Sequence, residues 1–455
     1  MARTGESIEA AKRKGTIVWG FFVAQITQNF SVIISLIIRG AAVLAGFAVT
    51  YLIGHNFGAA ATGQFGLITQ TAIFFAVVGL MGFDVAVVRH FAKSIALQAR
   101  IAVTTLLQVV GASLCLILGV ALVLWLGGDF VWGWLFGDNV PYDLFPVLCL
   151  LLLGRAGARL FGALLSSQHR FALGQAIPAL IIPLCTALAL ATGIVNDVRG
   201  ALWAAAIGSL IALTIGAVAT FSRAGSGERA IHISMKAMAA SSLPLWGAGV
   251  AHNIAEWFGL AVAAQMLGVA EAGLYRASIQ IAAVLQIASM ALFSVYSAKI
   301  SAAFHAGDRH EAAELAASAV RLSFVIAIPM GIMLIMVGGL VLSEIGPEFE
   351  RAYPILVILV IGQVAVTLTG PCGLVLAMSG NEKSNLIITV ASTTLLLVLV
   401  PIFAYYFGLA GLAICISLAT LSRNIAAYLI VYHKEGIGIW TGSVRDVPGS
   451  LKTGA

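Results

Sequence analysis

The sequence predicts an all-α polytopic membrane protein, with about twelve transmembrane helices in two pseudo-symmetric six-helix lobes. Three observations carry that expectation. Hydrophobic residues fill 60% of the 455 positions and charged residues only 10%, and the mean hydropathy is +1.03. A soluble globule carries about 25% charge and cannot hide so much apolar surface, so lipid must solvate it. Apolar runs of roughly 20 residues, long enough to span hydrocarbon, recur between turn residues and charges. Finally, the chain repeats itself: Gly58, Gly63, Phe65 and Gln70 match Gly268, Gly273, Tyr275 and Gln280 at one offset of 210 (268 − 58). Two related halves in a very apolar chain are the mark of a secondary transporter, whose halves rock about a site near the bilayer midplane.

The spans follow in order. The first half gives six, at 32–54, 63–88, 101–126, 144–166, 174–195 and 201–221. The second gives six more, at 243–267, 273–298, 319–342, 354–378, 385–407 and 409–431. The domains expected are an interfacial N-terminal segment (1–31), an N-terminal lobe (32–221), a linker (222–242), a C-terminal lobe (243–431) and a tail (432–455). Residues 17–31 mix Trp19, Phe21 and Phe22 with Gln25, Gln28 and Asn29, a composition suited to the membrane interface. The basic N-terminus, with Lys12, Arg13 and Lys14, lacks the small-residue cleavage site of a removable signal peptide.

Loop charges set the orientation. One side carries Arg3, Lys12, Arg13, Lys14, Arg89, Lys93, Arg100, Arg170, Arg223, Arg229, Lys236, Lys299, Arg309, Lys383, Lys434, Arg445 and Lys452; the other carries Arg199 and Arg351 against Asp129, Asp138, Asp143, Asp197, Glu344, Glu348 and Glu350. The positive-inside rule places both termini and the linker in the cytoplasm. The net charge of +6 is spread over these loops, with no aromatic-interleaved patch, so no nucleic-acid partner is expected. The longest connections, 127–143 outside and 301–318 inside, are too short to fold as a catalytic domain of about 50 residues. The chain is therefore not expected to be an enzyme.

No cofactor is expected either, since no nucleotide-binding motif is present. Cys115, Cys149, Cys185, Cys372 and Cys415 lie in apolar runs without CxxC spacing and read as small core residues. His305, Asp308, His310, Glu311 and Glu314 have no tetrahedral spacing and read as a solvated loop, not a metal site.

Ionisable residues within the spans are the informative ones, because each costs roughly 2.5–3.5 kcal/mol to insert and tends to face a cavity. They are Arg39, Asp84, Arg155, Arg159, Glu256, Arg276 and Arg423. The excess of arginine suits a phosphate or diphosphate ligand, whose oxygens its planar fork binds in pairs. Arg39, Arg155 and Arg159 are candidate anion contacts, with Arg276 and Gln280 sharing a face as a further pair. Against each stands the alternative of a headgroup anchor. Glu256, with His252 and Asn253 on the same face near mid-span, suits the binding and release of H⁺ or Na⁺. Its alternative is an ion pair with a cationic helix, Arg39 being a candidate partner. Asp84 reads as a local ion-pair partner near Arg89.

Certain segments also carry a family resemblance. They are Ala45 through Gly54 followed by Gly58 to Phe65; Gly79-Leu80-Met81-Gly82-Phe83 running to Arg89; Leu267-Gly268 with Ala272-Gly273-Leu274-Tyr275; Ala306-Gly307-Asp308; and Tyr406-Phe407-Gly408-Leu409-Ala410-Gly411-Leu412-Ala413. In order and spacing they resemble the polysaccharide transporter family, the O-antigen and exopolysaccharide flippases of the multidrug/oligosaccharidyl-lipid/polysaccharide exporter superfamily. The resemblance implies a two-lobed bundle that moves polyprenyl-diphosphate-linked oligosaccharide repeat units by alternating access. It also implies a cationic cavity and polymerase and chain-length proteins as partners. The runner-up function is a cation-coupled multidrug or metabolite antiporter of the same superfamily, and a membrane-embedded polysaccharide-processing enzyme comes third.

Overall fold

The computed structural model describes residues 2–96, 101–137, 140–225, 234–287, 296, 299–300, 302–304, 306–370, 372–378 and 382–445. Helix dominates them, as it must where lipid offers the backbone no hydrogen bonds. In chain order the helices are α1 (Ala2–Leu80), α2 (Phe83–Ala96), α3 (Val103–Phe136), α4 (Phe145–Ser167), α5 (Phe171–Ala176), α6 (Ile182–Ala191) and α7 (Val198–Phe221). They continue with α8 (Met235–Val262), α9 (Val269–Ala282), α10 (Arg309–Ile345), α11 (Tyr353–Leu368), α12 (Cys372–Met378) and α13 (Glu382–Ile430). A short hairpin, β1 (Ile437–Gly438) and β2 (Ser443–Val444), follows. Eight helical stretches among the described residues are long and apolar enough to cross a membrane. The chain is a multi-pass membrane protein.

Helix length alone demands breaks. The 79 residues of α1 would make a rod of about 120 Å, some four bilayer cores. Gly58 folds it into two antiparallel arms, with φ 85° and ψ −179°, a conformation that essentially only glycine adopts. The counterpart of Gly58 in the repeat, Gly268, does the same between α8 and α9 at φ 108° and ψ 156°. Gly408 folds α13 at the boundary expected between the last two spans. With the stretches in α1 and α13 each folded in two at these glycines, the eight stretches make ten passes among the described residues (8 + 2), and α8 and α9 pack against them.

The repeat becomes a local two-fold axis. A Cβ on Gly63 would lie 1.9 Å from the Val269 carbonyl oxygen, and one on Gly273 would lie 2.0 Å from the Ala59 carbonyl oxygen. Each contact is the other shifted by 210 positions, the reciprocity of an isologous interface. A second echo escapes the sequence pattern. Gly154 packs against Ser209 and Gly362 against Ser417, both pairs at an offset of 208 (362 − 154). Small residues thus let α4 meet α7, and α11 meet α13, at close range.

Several segments differ from expectation. Residues 2–31, read as an interfacial segment, continue into α1 without a break. The second span ends at Leu80, not 88, because Met81 and Gly82 turn with positive φ before α2 begins. Gly82 sits so close to α8 that a Cβ would lie 2.4 Å from the Ser242 carbonyl oxygen. The supposed outer loop 127–143 is helical as far as Phe136, and Trp132 is buried with its indole N–H donated to the Val140 carbonyl at 2.7 Å. Likewise α10 starts inside the supposed inner loop, where the Asp308 carboxylate caps it by accepting from the Glu311 N–H at 2.9 Å. The tail folds back as the hairpin, with Ile437 and Ile439 buried and Glu435 paired to Arg309 at 3.7 Å. Between α5 and α6 a π-turn, Ile177–Ile181, accommodates the missing N–H groups of Pro178 and Pro183.

One hydrophobic core joins the halves, running through Val49, Ile53, Leu67, Trp257, Tyr275 and Phe349. Outward faces stay apolar: Val325, Ile332, Met336 and Leu340 lie exposed along α10, Met336 at 75%, which marks a lipid-facing stripe.

Candidate functional site

The polar groups that matter lie along the seam between the halves. Arg276, on α9, lays its alkyl stem across the second arm of α1, so that a Cβ on Gly66 would lie 2.3 Å from its Cδ. Its guanidinium carbon stands 6.0 Å from the Phe65 ring centroid, a cation–π approach from the opposite half. Arg155 reaches the same region from α4, near enough for the charge of Arg276 to act on it. In both arginines Nε is buried and has no hydrogen-bond partner among the described residues. Two like charges from opposite halves thus lie within electrostatic reach of one another, each with a buried Nε donor to spare.

A second cluster obeys the repeat. Gln70 donates to the Glu256 carboxylate at 3.5 Å, while Gln280 donates to the Val43 carbonyl at 3.3 Å and covers Gly46. Gln70 and Gln280 are repeat partners, and so are Gly46 and Glu256. Each glutamine crosses to the first helix of the other half, and only one of them finds a carboxylate there. Glu256 is exposed, within electrostatic reach of the buried Tyr275. Asn253 is buried and donates to the Gly249 carbonyl at 2.8 Å, a bond within its own helix. The side chain of His252 lies outside the described residues.

The remaining candidates sit elsewhere. Arg39 donates from Nε to Gln175 at 3.2 Å, and Gln175 in turn donates to Ser35 at 2.9 Å, so that α5 is tied to the first arm of α1 at both residues. Arg159, although one turn from Arg155, forms an ion pair with Asp84 inside the first half. The local partner of Asp84 is therefore Arg159, while Arg89 points outward. Sequence reasoning missed Gln175 and gave no role to Gln70. For Gln70 the signal was present, since it is the repeat partner of Gln280.

The Gly58 end of the seam is shut. Gly54 packs beneath Ile345 and Phe349, the Ala59 N–H donates to the Glu348 carboxylate, and the His55 ring nitrogen lies 3.2 Å from the Glu344 carbonyl.

No protein-family model matches the chain, and no curated protein matches it. Solved structures do. An inward-facing multidrug resistance MATE family transporter of the MOP superfamily superposes with a TM-score of 0.72 at 14% identity, covering 88% of this chain and 96% of that one. This is the fold of the MOP-superfamily transporters. The lipid II flippase MurJ, in an inward closed conformation, shares the MOP fold with a TM-score of 0.64 at 14% identity, over 88% of this chain and 87% of that one. The MATE multidrug transporter DinF-BH gives 0.59 at 15% identity over 90% and 96%. The MOP fold thus serves multidrug transporters and a lipid flippase alike, and the side chains must tell them apart.

Proposed function

We propose that the chain is a flippase for polyprenyl-diphosphate-linked oligosaccharides, acting in O-antigen or exopolysaccharide synthesis at a bacterial inner membrane. One observation carries the reading: Arg155 and Arg276, from opposite halves, lie within electrostatic reach of one another with buried Nε donors that have no partner among the described residues. A diphosphate supplies the acceptors and the negative charge that this pair lacks, and it ties one half to the other when bound. Arg39 and Arg159 would stand along the route rather than at its centre, and Gln280 would support the crossing of α9 over α1. The halves, residues 32–221 and 243–431, rock about the Gly63–Gly273 contact, and both termini stay in the cytoplasm. Glu256 with Gln70, and with His252 and Asn253 on the same helix, would take up H⁺ or Na⁺ to drive the return. Polymerase and chain-length proteins would receive the product.

The test is flipping of a fluorescent polyprenyl-diphosphate oligosaccharide in proteoliposomes. Arg155→Ala and Arg276→Ala should each cut the rate at least about tenfold, the loss of one charge-assisted hydrogen bond of roughly 1.5–3 kcal/mol. Wild-type rates in both variants would sink the proposal.

A cation-coupled multidrug antiporter is the second reading, favoured by the likeness to MATE transporters and by the exposed carboxylate of Glu256. Two arginines at the seam repel an organic cation. Efflux of a cationic dye that depends on Glu256 and is indifferent to Arg155 would decide for this reading.

A further inference from the structure

Two contacts at the Gly58 end are copies of each other. His55 approaches the Glu344 carbonyl through Nδ1 at 3.2 Å, and Gln265 donates through Nε2 to the Trp134 and Leu135 carbonyls at 2.6 and 3.0 Å. The offset of 210 holds for both partners (265 − 55 and 344 − 134). His55 and Gln265 each stand three residues before the glycine that folds the chain (58 − 55 and 268 − 265). Their acceptors lie in the last turns of α10 and α3, which end at Ile345 and Phe136. The final four carbonyls of a helix have no partner within it, so each side chain caps a helix C-terminus. Each cap also crosses between the halves. The first arm of α1 holds α10, and the π-turn that extends α8, Ala263–Leu267, holds α3.

The two caps differ in one respect. A carboxamide keeps its N–H donors at every pH, whereas imidazole as a class changes charge between about pH 5 and pH 8. A neutral ring has a single N–H, on either nitrogen, while the imidazolium has one on each. The Glu344 carbonyl can only accept, so protonation guarantees the donor at Nδ1. It also strengthens the bond, and it puts positive charge where the α10 dipole is negative. The ring is exposed and stacks on Tyr51 at 5.6 Å, within reach of protons from solution. Charged groups on the elements around it are Glu344 of α10, Glu348, Glu350 and Arg351 of the turn Pro347–Ala352, and Glu271 of α9, which pairs with Arg351 at 3.1 Å. The other histidines with described side chains, His90, His169, His310 and His433, stand at the opposite end of the bundle.

We infer that His55 is a proton-operated latch at the Gly58 end, and that Gln265 is its fixed counterpart. Protonated, His55 ties α10 to the first arm of α1 and keeps this end shut; deprotonated, it loosens that side while the Gln265 cap stays. The closed form binds the proton more tightly than the open one. Closure is therefore favoured below the histidine range, and the preference is lost as pH rises through it. With both termini in the cytoplasm, acid outside shuts the outward exit. The inference rests on the alternating access proposed above, and not on which solute is carried.

The experiment reads this end directly, as the distance between spin labels at Thr192 and Tyr406 in the full-length protein in lipid nanodiscs. Both positions are exposed, and they flank turns of opposite halves away from the latches, after α6 and beside Gly408. The labels sit on cysteines, with the five native ones replaced by alanine. From about pH 5.5 to about pH 8 the long-distance population should rise about fivefold, or roughly 1 kcal/mol. His55→Gln copies the residue of the other latch, and should keep the end shut without response to pH. His55→Leu should open it in acid and base alike. Gln265→His should add a second response in the same direction. A pH response that survives in His55→Gln, or an end that stays shut in His55→Leu, would overturn the latch. Because the readout is a distance and not transport, failure of the flippase reading alone would leave these populations unchanged.

Discussion

At Arg155 and Arg276 the molecule holds two buried cations whose Nε atoms have no described partner, an arrangement that weakens the empty protein. Removing one of two like charges from such a site relieves both repulsion and desolvation. Arg155→Met should therefore raise the melting temperature of the ligand-free protein, by the equivalent of about 1–3 kcal/mol, while abolishing transport. Inorganic pyrophosphate should stabilise the wild type in a thermal-shift measurement and lose that effect in the variant. A variant that melts lower, or still responds to pyrophosphate, would argue that the pair is satisfied by protein. Asp84 is the opposite case. Its carboxylate neutralises Arg159, so Asp84→Asn should cost about 1.5–3 kcal/mol, read as a lower melting temperature and relieved by Arg159→Gln in the same chain. The sequence placed Arg155 and Arg159 on one helix face, and it could go no further. Spacing on a helix does not say which neighbouring helix each side chain meets, and here one meets Asp84 while the other meets the far half.

Among elements, the crossing of α1 and α9 is the most constrained. With carbonyl oxygens 1.9 and 2.0 Å from the positions a Cβ would take, neither Gly63 nor Gly273 can carry a side chain unless the helices part. Gly63→Ala and Gly273→Ala should each destabilise by about 2–4 kcal/mol, and by similar amounts, because the contacts are symmetry mates. Gly111→Ala, with nothing within 4 Å, should instead stabilise by roughly 1 kcal/mol through helix propensity. Urea or thermal denaturation in detergent would separate the two classes. A mild effect at both crossing glycines would mean that the helices slide freely. The equivalence of these two glycines was legible beforehand, because they recur at a fixed offset, but a repeat does not say that its two copies face each other. The helical part of 127–143 and the start of α10 were not legible. Aromatic and charged residues there imitate loop composition, yet Trp132 finds a buried carbonyl partner and Asp308 a helix to cap.

For the whole molecule, the proposed alternating access requires that contacts at the two ends of the seam be made and broken in turn. At the Gly58 end the tie is polar and crosses between halves: the Glu348 carboxylate accepts the Ala59 N–H at the start of the second arm of α1, and the helix dipole favours its charge there. At the other end the ties are Trp246 to the Val78 carbonyl at 3.1 Å, His90 to Ser241 at 2.8 Å, and the close approach of Gly82 to Ser242. A charge-assisted bond of about 1.5–3 kcal/mol, lost from one end only, shifts the balance between the two closed forms by roughly 10–100-fold. Glu348→Ala should therefore populate the form open at the Gly58 end. Spin labels at His55 and Glu344, whose ring nitrogen and carbonyl now lie 3.2 Å apart, should report a new long-distance population in that variant. Glu348→Gln keeps an acceptor oxygen without the charge and should fall between. Ser241→Ala removes a tie from the opposite end, and it should suppress the long-distance population when combined with Glu348→Ala. Distances that stay short in every variant would show that apolar packing of Gly54 beneath Ile345 and Phe349 holds this end shut without help from the carboxylate.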